Sequence, residues 1–157
     1  MQKYPITSKG IEKMNAELLK LKNSDRPRII QAIAEAKAQG DLSENAEYAA
    51  AKEEQGMIEA RIADLESKIA LAEIIEPSDI LSDKVQFGAT VTLIDSDTDE
   101  VKKYKIVGDF ESDLSQGMIS IFSPLANAML GKRVSDEVES NTPKGVKFYE
   151  VTKIEYI

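Results

Sequence analysis

Three carboxylates, Asp41, Glu44 and Glu47, fall within seven residues, with no Lys or Arg among them. Acids three apart at a turn can converge on one side and share a divalent cation. The same spacing has a plainer use. Asp41 and Glu44 stand as a capping box stands before a helix, with Ser43 and Asn45 as rival caps. On the residues alone both readings stay open. The remaining composition narrows the chemistry, because the chain has no His and no Cys. That removes Ser-His triads, thiolate nucleophiles, imidazole or thiolate metal sites and the usual near-neutral general base. A metal held here must be hard and oxygen-bound, such as Mg²⁺. Lys37 and Lys52 flank the acids as a small positive collar, and each can instead pair with Glu35 or Glu53 on a solvated face. Leu42 and Tyr48 are apolar residues that a mere turn does not require, although Tyr48 also fits a packed helix seam.

The elements that must position these residues are two long helices. Between Gly10 and Gly40 there is no glycine, and between Pro27 and Pro77 no proline. Thr7 or Ser8 can cap a first helix whose apolar stripe runs Ile11, Met14, Leu18 and Leu21. The stripe then slips to Ile29, Ile30, Ile33 and Ala36. Pro27 stands at the slip, with Ser24 and Asp25 as capping candidates, so a kink or a fresh start is expected there. A second helix carries Tyr48, Ala51, Gln55, Ile58, Ile62, Leu65, Ile69 and Ala72 at alternating steps of 3 and 4, a heptad seam with one polar position. Neither helix buries its stripe alone, and the short connection through Gly40 forces an antiparallel hairpin. Taken by itself, such a hairpin could also be a dimerisation stalk or spacer.

The sequence predicts a boundary at Glu76-Pro77-Ser78-Asp79, giving a coiled-coil hairpin over 1–76 with its tip near 40–48, and a second domain over 77–157. The second part reads as a compact α+β domain. Strands are expected at Ala89–Ile94, Val101–Val107, Met118–Phe122, Val134–Val138 and Val146–Ile157, with a short helix from Ser123-Pro124 to Gly131. The run Asp95–Glu100 lacks the central Gly and final Glu of a calcium loop and is read as a solvated hairpin. The net charge is −8, of which residues 76–157 supply −6. That excludes a general nucleic-acid coat held by overall positive charge, while leaving room for a local basic patch. No apolar run reaches membrane-spanning length, and the N-terminus has no signal-peptide pattern, so a cytoplasmic protein is expected.

The run Gly40-Asp41-Leu42-Ser43-Glu44-Asn45-Ala46-Glu47-Tyr48 resembles the coiled-coil tip of the bacterial Gre (GreA/GreB) transcript cleavage factors. The preceding Ile29-Ile30-Gln31-Ala32-Ile33-Ala34-Glu35-Ala36 fits the same pattern. So do Ser123-Pro124-Leu125-Ala126 and Leu130-Gly131-Lys132 in the second part. The resemblance covers essentially the whole chain. It implies an FKBP-like second domain that docks on bacterial RNA polymerase, and a coiled coil that enters the polymerase secondary channel. It implies stimulation of the polymerase's own cleavage of the nascent RNA 3′ end in backtracked complexes, by a factor that is not itself an enzyme and acts as a monomer. By the resemblance, Asp41 and Glu44 are the essential acids, helping to hold a second Mg²⁺ and orient the attacking water only within the polymerase complex. Lys37 and Lys52, with Tyr48, are the implied RNA contacts, and Gly40, Leu42, Ser43, Asn45 and Glu47 support the tip. The collar is sparser than in some relatives, and Ser43 stands where relatives often carry a basic residue. Two other functions compete with this one. The first is a channel binder that does not stimulate cleavage. The second is a prolyl isomerase or holdase, whose pocket would have to draw on Tyr104, Phe110, Phe122, Phe148, Tyr149 and Tyr156.

Overall fold

The structure is a computed structural model and describes residues 3–40 and 45–157. The chain divides into two units, one of residues Ile11–Leu71 and the other joining residues up to Gly10 with Ala72–Ile157.

The first unit is helical. Helix α1 spans Ser8–Lys20, a π-helical turn follows at Leu21–Asp25, and α2 spans Arg26–Ala38. Ile11, Met14, Leu21, Ile29, Ile33 and Ala36 are its buried side chains. The apolar frame that slips in the sequence does so because the helix carries one extra residue. Arg26 N–H donates to the Leu21 carbonyl, five residues back instead of four. Pro27 accounts for the place. It has no N–H to give, and its ring would press on the carbonyl of Asn23 in a regular α-turn. A wide turn just before it accommodates both and returns Ile29 to the buried stripe. Of the two outcomes expected there, a kink or a fresh start, the fresh start does not occur: Asp25 and Arg26 keep right-handed helical dihedrals, and the Asp25 side chain makes no cap.

Helix α3 spans Ala46–Ala70 and buries Ala51, Ile58, Ile62 and Leu65, with Tyr48, Gln55 and Ile69 half-buried. The heptad seam thus holds as far as Ile69. Ala72, expected on it, lies instead in a strand. Among the described residues four ion pairs link the arms: Lys22–Glu66 at 2.8 Å, Arg26–Glu59 at 2.7 Å, Arg28–Glu54 at 2.6 Å and Arg61–Glu17 at 2.8 Å.

The second unit is α+β. Strand β1 (Tyr4–Thr7) pairs in parallel with β2 (Ala72–Ile75), Tyr4 facing Ala72 and Ile6 facing Ile74. Sequence reading assigned both strands to the hairpin domain over 1–76; in the structure they group with the sheet unit. The main sheet is built from β3 (Thr90–Asp95), β4 (Val101–Val107), β5 (Met118–Ser120), β6 (Glu137–Thr142) and β7 (Gly145–Glu155), in the order β5-β4-β3-β7-β6. The pairs β3–β4, β3–β7 and β6–β7 are antiparallel, and β4–β5 is parallel. Helix α4 (Pro124–Met129) presses Ala126 and Met129 into a core with Val91, Leu93, Ile106, Val138 and Val151. Ser123 caps it as expected, its hydroxyl accepting from Ala126 N–H at 3.2 Å.

Two sheet expectations are corrected. The strand expected from Val134 begins at Glu137, because Arg133 N–H donates to the Asp136 carboxylate and Asp136 N–H to the Arg133 carbonyl, closing a turn with Ser135 at φ 78°. The acidic hairpin is not wholly solvated: Asp95 is buried, its Oδ1 accepting from the amides of Asp97 and Thr98 at 2.8 and 3.2 Å. Those bonds, with Lys147 nearby, hold the Asp95 carboxyl below its ordinary range.

A second carboxylate acts at the end of β1. Thr7 is the cap of α1, its Oγ1 accepting from Gly10 N–H at 3.1 Å. Glu111 accepts from Thr7 N–H at 3.1 Å, and a Cβ on Gly10 would run into its carboxylate and crowd the Ile6 side chain, so the glycine leaves the acid its place. Burial pushes the Glu111 carboxyl up from its ordinary value, against the pull of these hydrogen bonds.

Candidate functional site at the hairpin turn

The turn is framed by the last residues of α2 and the first of α3. Gln39 ends α2, its N–H donating to Ala36 O at 3.2 Å, and Gly40 follows at φ 115°. Only glycine takes that conformation without strain, so the chain can leave the helix sharply there. On the other side, Asn45 has extended dihedrals and is the cap of α3. Its Oδ1 accepts from Tyr48 N–H at 3.0 Å, while its Nδ2 donates to Ala36 O at 2.8 Å. One side chain thus closes the start of α3 and reaches across to the end of α2. Sequence reading counted Asn45 among rival caps; its second bond had no signal, since Ala36 lies nine residues away on the other arm.

This geometry bears on the open choice between capping and chemistry. The capping position of α3 is held by Asn45, so that role needs no carboxylate from Asp41 or Glu44. Asp41, Leu42, Ser43 and Glu44 themselves lie outside the described residues. Glu47 is exposed in the first turn of α3, where a negative charge complements the helix dipole. Lys37 is exposed in the last turn of α2, where a positive charge does the same. Lys52 is exposed and donates to Gln55 Oε1 at 3.2 Å. Among the described residues neither lysine forms an ion pair, and Glu35 accepts instead from Gln31 Nε2 at 3.1 Å. Tyr48 is half-buried on the seam, with its backbone N–H tied to Asn45.

Beside the turn the structure places the exposed Glu47, Lys37 and Lys52, and the sequence adds the carboxylates of Asp41 and Glu44. The donor set is hard and suits Mg²⁺ in kind, but a protein turn with two or three carboxylates leaves most of an octahedral shell to water or phosphate. Among the described residues no group of three acidic side chains is placed to hold a metal. Among the same residues no helix is long and apolar enough to cross a membrane.

Comparison with known proteins gives a consistent family. Residues 4–74 match the family described as transcription elongation factor, N-terminal, and residues 80–156 match the one described as transcription elongation factor, GreA/GreB, C-term. The chain is 52% identical to the transcription elongation factor GreA of Phenylobacterium zucineum (strain HLK1) over 157 residues, all of both chains. It is 54% identical to that of Jannaschia sp. (strain CCS1), again over the whole of both. Among solved structures, the GreA factor homolog 1 protein of Thermus thermophilus is 28% identical, with 98% of this chain and 99% of that one covered and a TM-score of 0.45. A GreA/GreB elongation factor from Nitrosomonas europaea is 24% identical, with 98% and 100% covered and a TM-score of 0.44.

Proposed function

The chain belongs to the GreA/GreB family of transcription elongation factors, and from that premise we propose that it stimulates RNA polymerase to cleave the 3′ end of its own transcript in backtracked complexes. The helical hairpin enters the polymerase secondary channel and carries Asp41 and Glu44 to the active centre. The sheet unit docks on the polymerase. The observation that carries the reading is the frame of the turn: Asn45 holds the cap of α3, so that cap calls on neither Asp41 nor Glu44.

Phosphoryl chemistry of this kind needs charge placed beside the attacking water and the leaving oxygen. When bound, Mg²⁺ supplies the activation of that water, and Asp41 and Glu44 are the residues that would hold it, together with groups of the polymerase and the RNA. This chain has no His or Cys with which to move protons, so its own part is to orient and to supply oxygen ligands. Lys37 and Lys52 face phosphates of the extruded RNA, Tyr48 packs the seam beside a base, and the factor acts as a monomer in the cytoplasm.

The test is RNA shortening in purified backtracked complexes with Mg²⁺, with polymerase binding measured alongside. Rapid shortening on addition of the chain supports the proposal. Binding without shortening would make it a channel blocker. Absence of binding would overturn the polymerase reading and direct attention to a peptide isomerisation assay.

A further inference from the structure

We propose that Asn45 is a positioning residue, whose side-chain amide staples the two arms of the hairpin at its tip and so holds the chain at both ends of the acidic turn. The inference rests on the proposed cleavage function for its consequence, but not for the staple itself.

Both polar atoms of Asn45 are used, and for different ends. Oδ1 serves α3 through Tyr48 N–H, and Nδ2 serves α2 through Ala36 O. The first task does not need asparagine, since Asp caps a helix equally well. The second does, because a carboxylate has no proton to donate. Nothing else described on the arms does this work near the turn. The next polar link between them is Arg28–Glu54, and Arg28 lies eight residues before Ala36, about 12 Å along the helix. Beyond Ile33 toward the tip, the buried side chains among the described residues are Ala36 and Ala51, with Tyr48 half-buried, and the two alanines offer little surface to lock one arm on the other. Gly40, at φ 115° and with no described residue within 4 Å of where a Cβ would stand, adds freedom on the α2 side. Among the described residues, without Nδ2 the α2 end of the turn would be tied only by its own last helical bonds.

Asn45→Asp separates the two tasks. It keeps the cap and turns an oxygen toward the Ala36 carbonyl. In the full chain, with backtracked polymerase and Mg²⁺, the cleavage rate at saturating factor should fall by between about tenfold and a hundredfold, as expected for small misplacement of reacting groups. The half-saturating factor concentration and the helicity should stay at native values. Asn45→Ala, which loses both bonds, should lower the saturating rate at least as far and reduce helicity as well. A native saturating rate for Asn45→Asp, or a change confined to the half-saturating concentration, would overturn the inference. Hydrogen exchange reads the staple apart from cleavage. In Asn45→Asp the Gln39 and Gly40 amides should exchange faster while the Tyr48 amide keeps its protection, and equal exchange at all three would also overturn it. If the native chain fails to stimulate cleavage, the functional proposal falls while the exchange result still decides the staple.

Discussion

Single side chains set the pH response of this protein, and two of them pull in opposite directions. Asp95 is held below its ordinary value by the amides of Asp97 and Thr98, so its contribution is present at neutral pH and is lost as pH falls through its folded value. Asp95→Asn should therefore melt lower than the native chain at pH 7, with the gap closing below about pH 4. Glu111 is raised by burial, so the fold favours its protonated form and its contribution weakens as pH rises through that value. Glu111→Gln keeps an acceptor for Thr7 N–H and should melt higher than native at pH 7, the advantage shrinking on acidification. Thermal melts at a series of pH values check both signs. At the tip, Lys37→Ala with Lys52→Ala should slow cleavage and flatten its dependence on salt, since each lost phosphate contact removes part of the counterion release. An unchanged salt slope would assign the two lysines to the helices alone. The acids and lysines were legible as residues, because charge at a breaker between two apolar stripes stands out. The Asn45 staple was not, because a hydrogen bond to a backbone carbonyl on another arm leaves no mark in side-chain type.

Elements are held by burial more than by charge. The inter-arm pairs Arg26–Glu59 and Arg28–Glu54 are exposed, so breaking either should move the melt only slightly, and less so in high salt. Leu65 is 1% exposed at the seam. Leu65→Ala should cost about 2–5 kcal/mol in urea unfolding, and a loss below about 1 kcal/mol would mean the seam is not the main support of the hairpin. The ion pairs contribute mainly register, since cations on the first arm meet acids on the second at three places. The hairpin was readable from its 3–4 spacing, and the slip at Pro27 was visible too. Its resolution by a wide turn was not, since one extra residue and a fresh helix start give the same apolar pattern. The β1–β2 pair was invisible for another reason. Each strand has four residues, and their pairing joins Tyr4 to Ala72 across the whole hairpin. The strand expected from Val134 failed on local turn chemistry at Arg133–Asp136, which apolar content does not report.

At the scale of the whole molecule, the charge of −8 makes the chain a poor ligand for free nucleic acid. Labelled RNA alone should show no shift at moderate salt and no shortening with Mg²⁺, so any cleavage must need the polymerase. The α+β class was legible from the contrast between a glycine-poor first half and a β-branched second half. The grouping of β1 with the sheet unit was not, since it depends on contacts remote in sequence. The account stands or falls on the acids of the turn. The decisive measurement is the rate of RNA cleavage in backtracked complexes at saturating factor, for the native chain, Asp41→Asn and Glu44→Gln, with polymerase affinity measured on the same preparations. The account predicts that each variant binds as the native chain does and cleaves at least about a hundredfold more slowly, about 2.7 kcal/mol of lost transition-state stabilisation. Variants that bind and cleave at the native rate would contradict it.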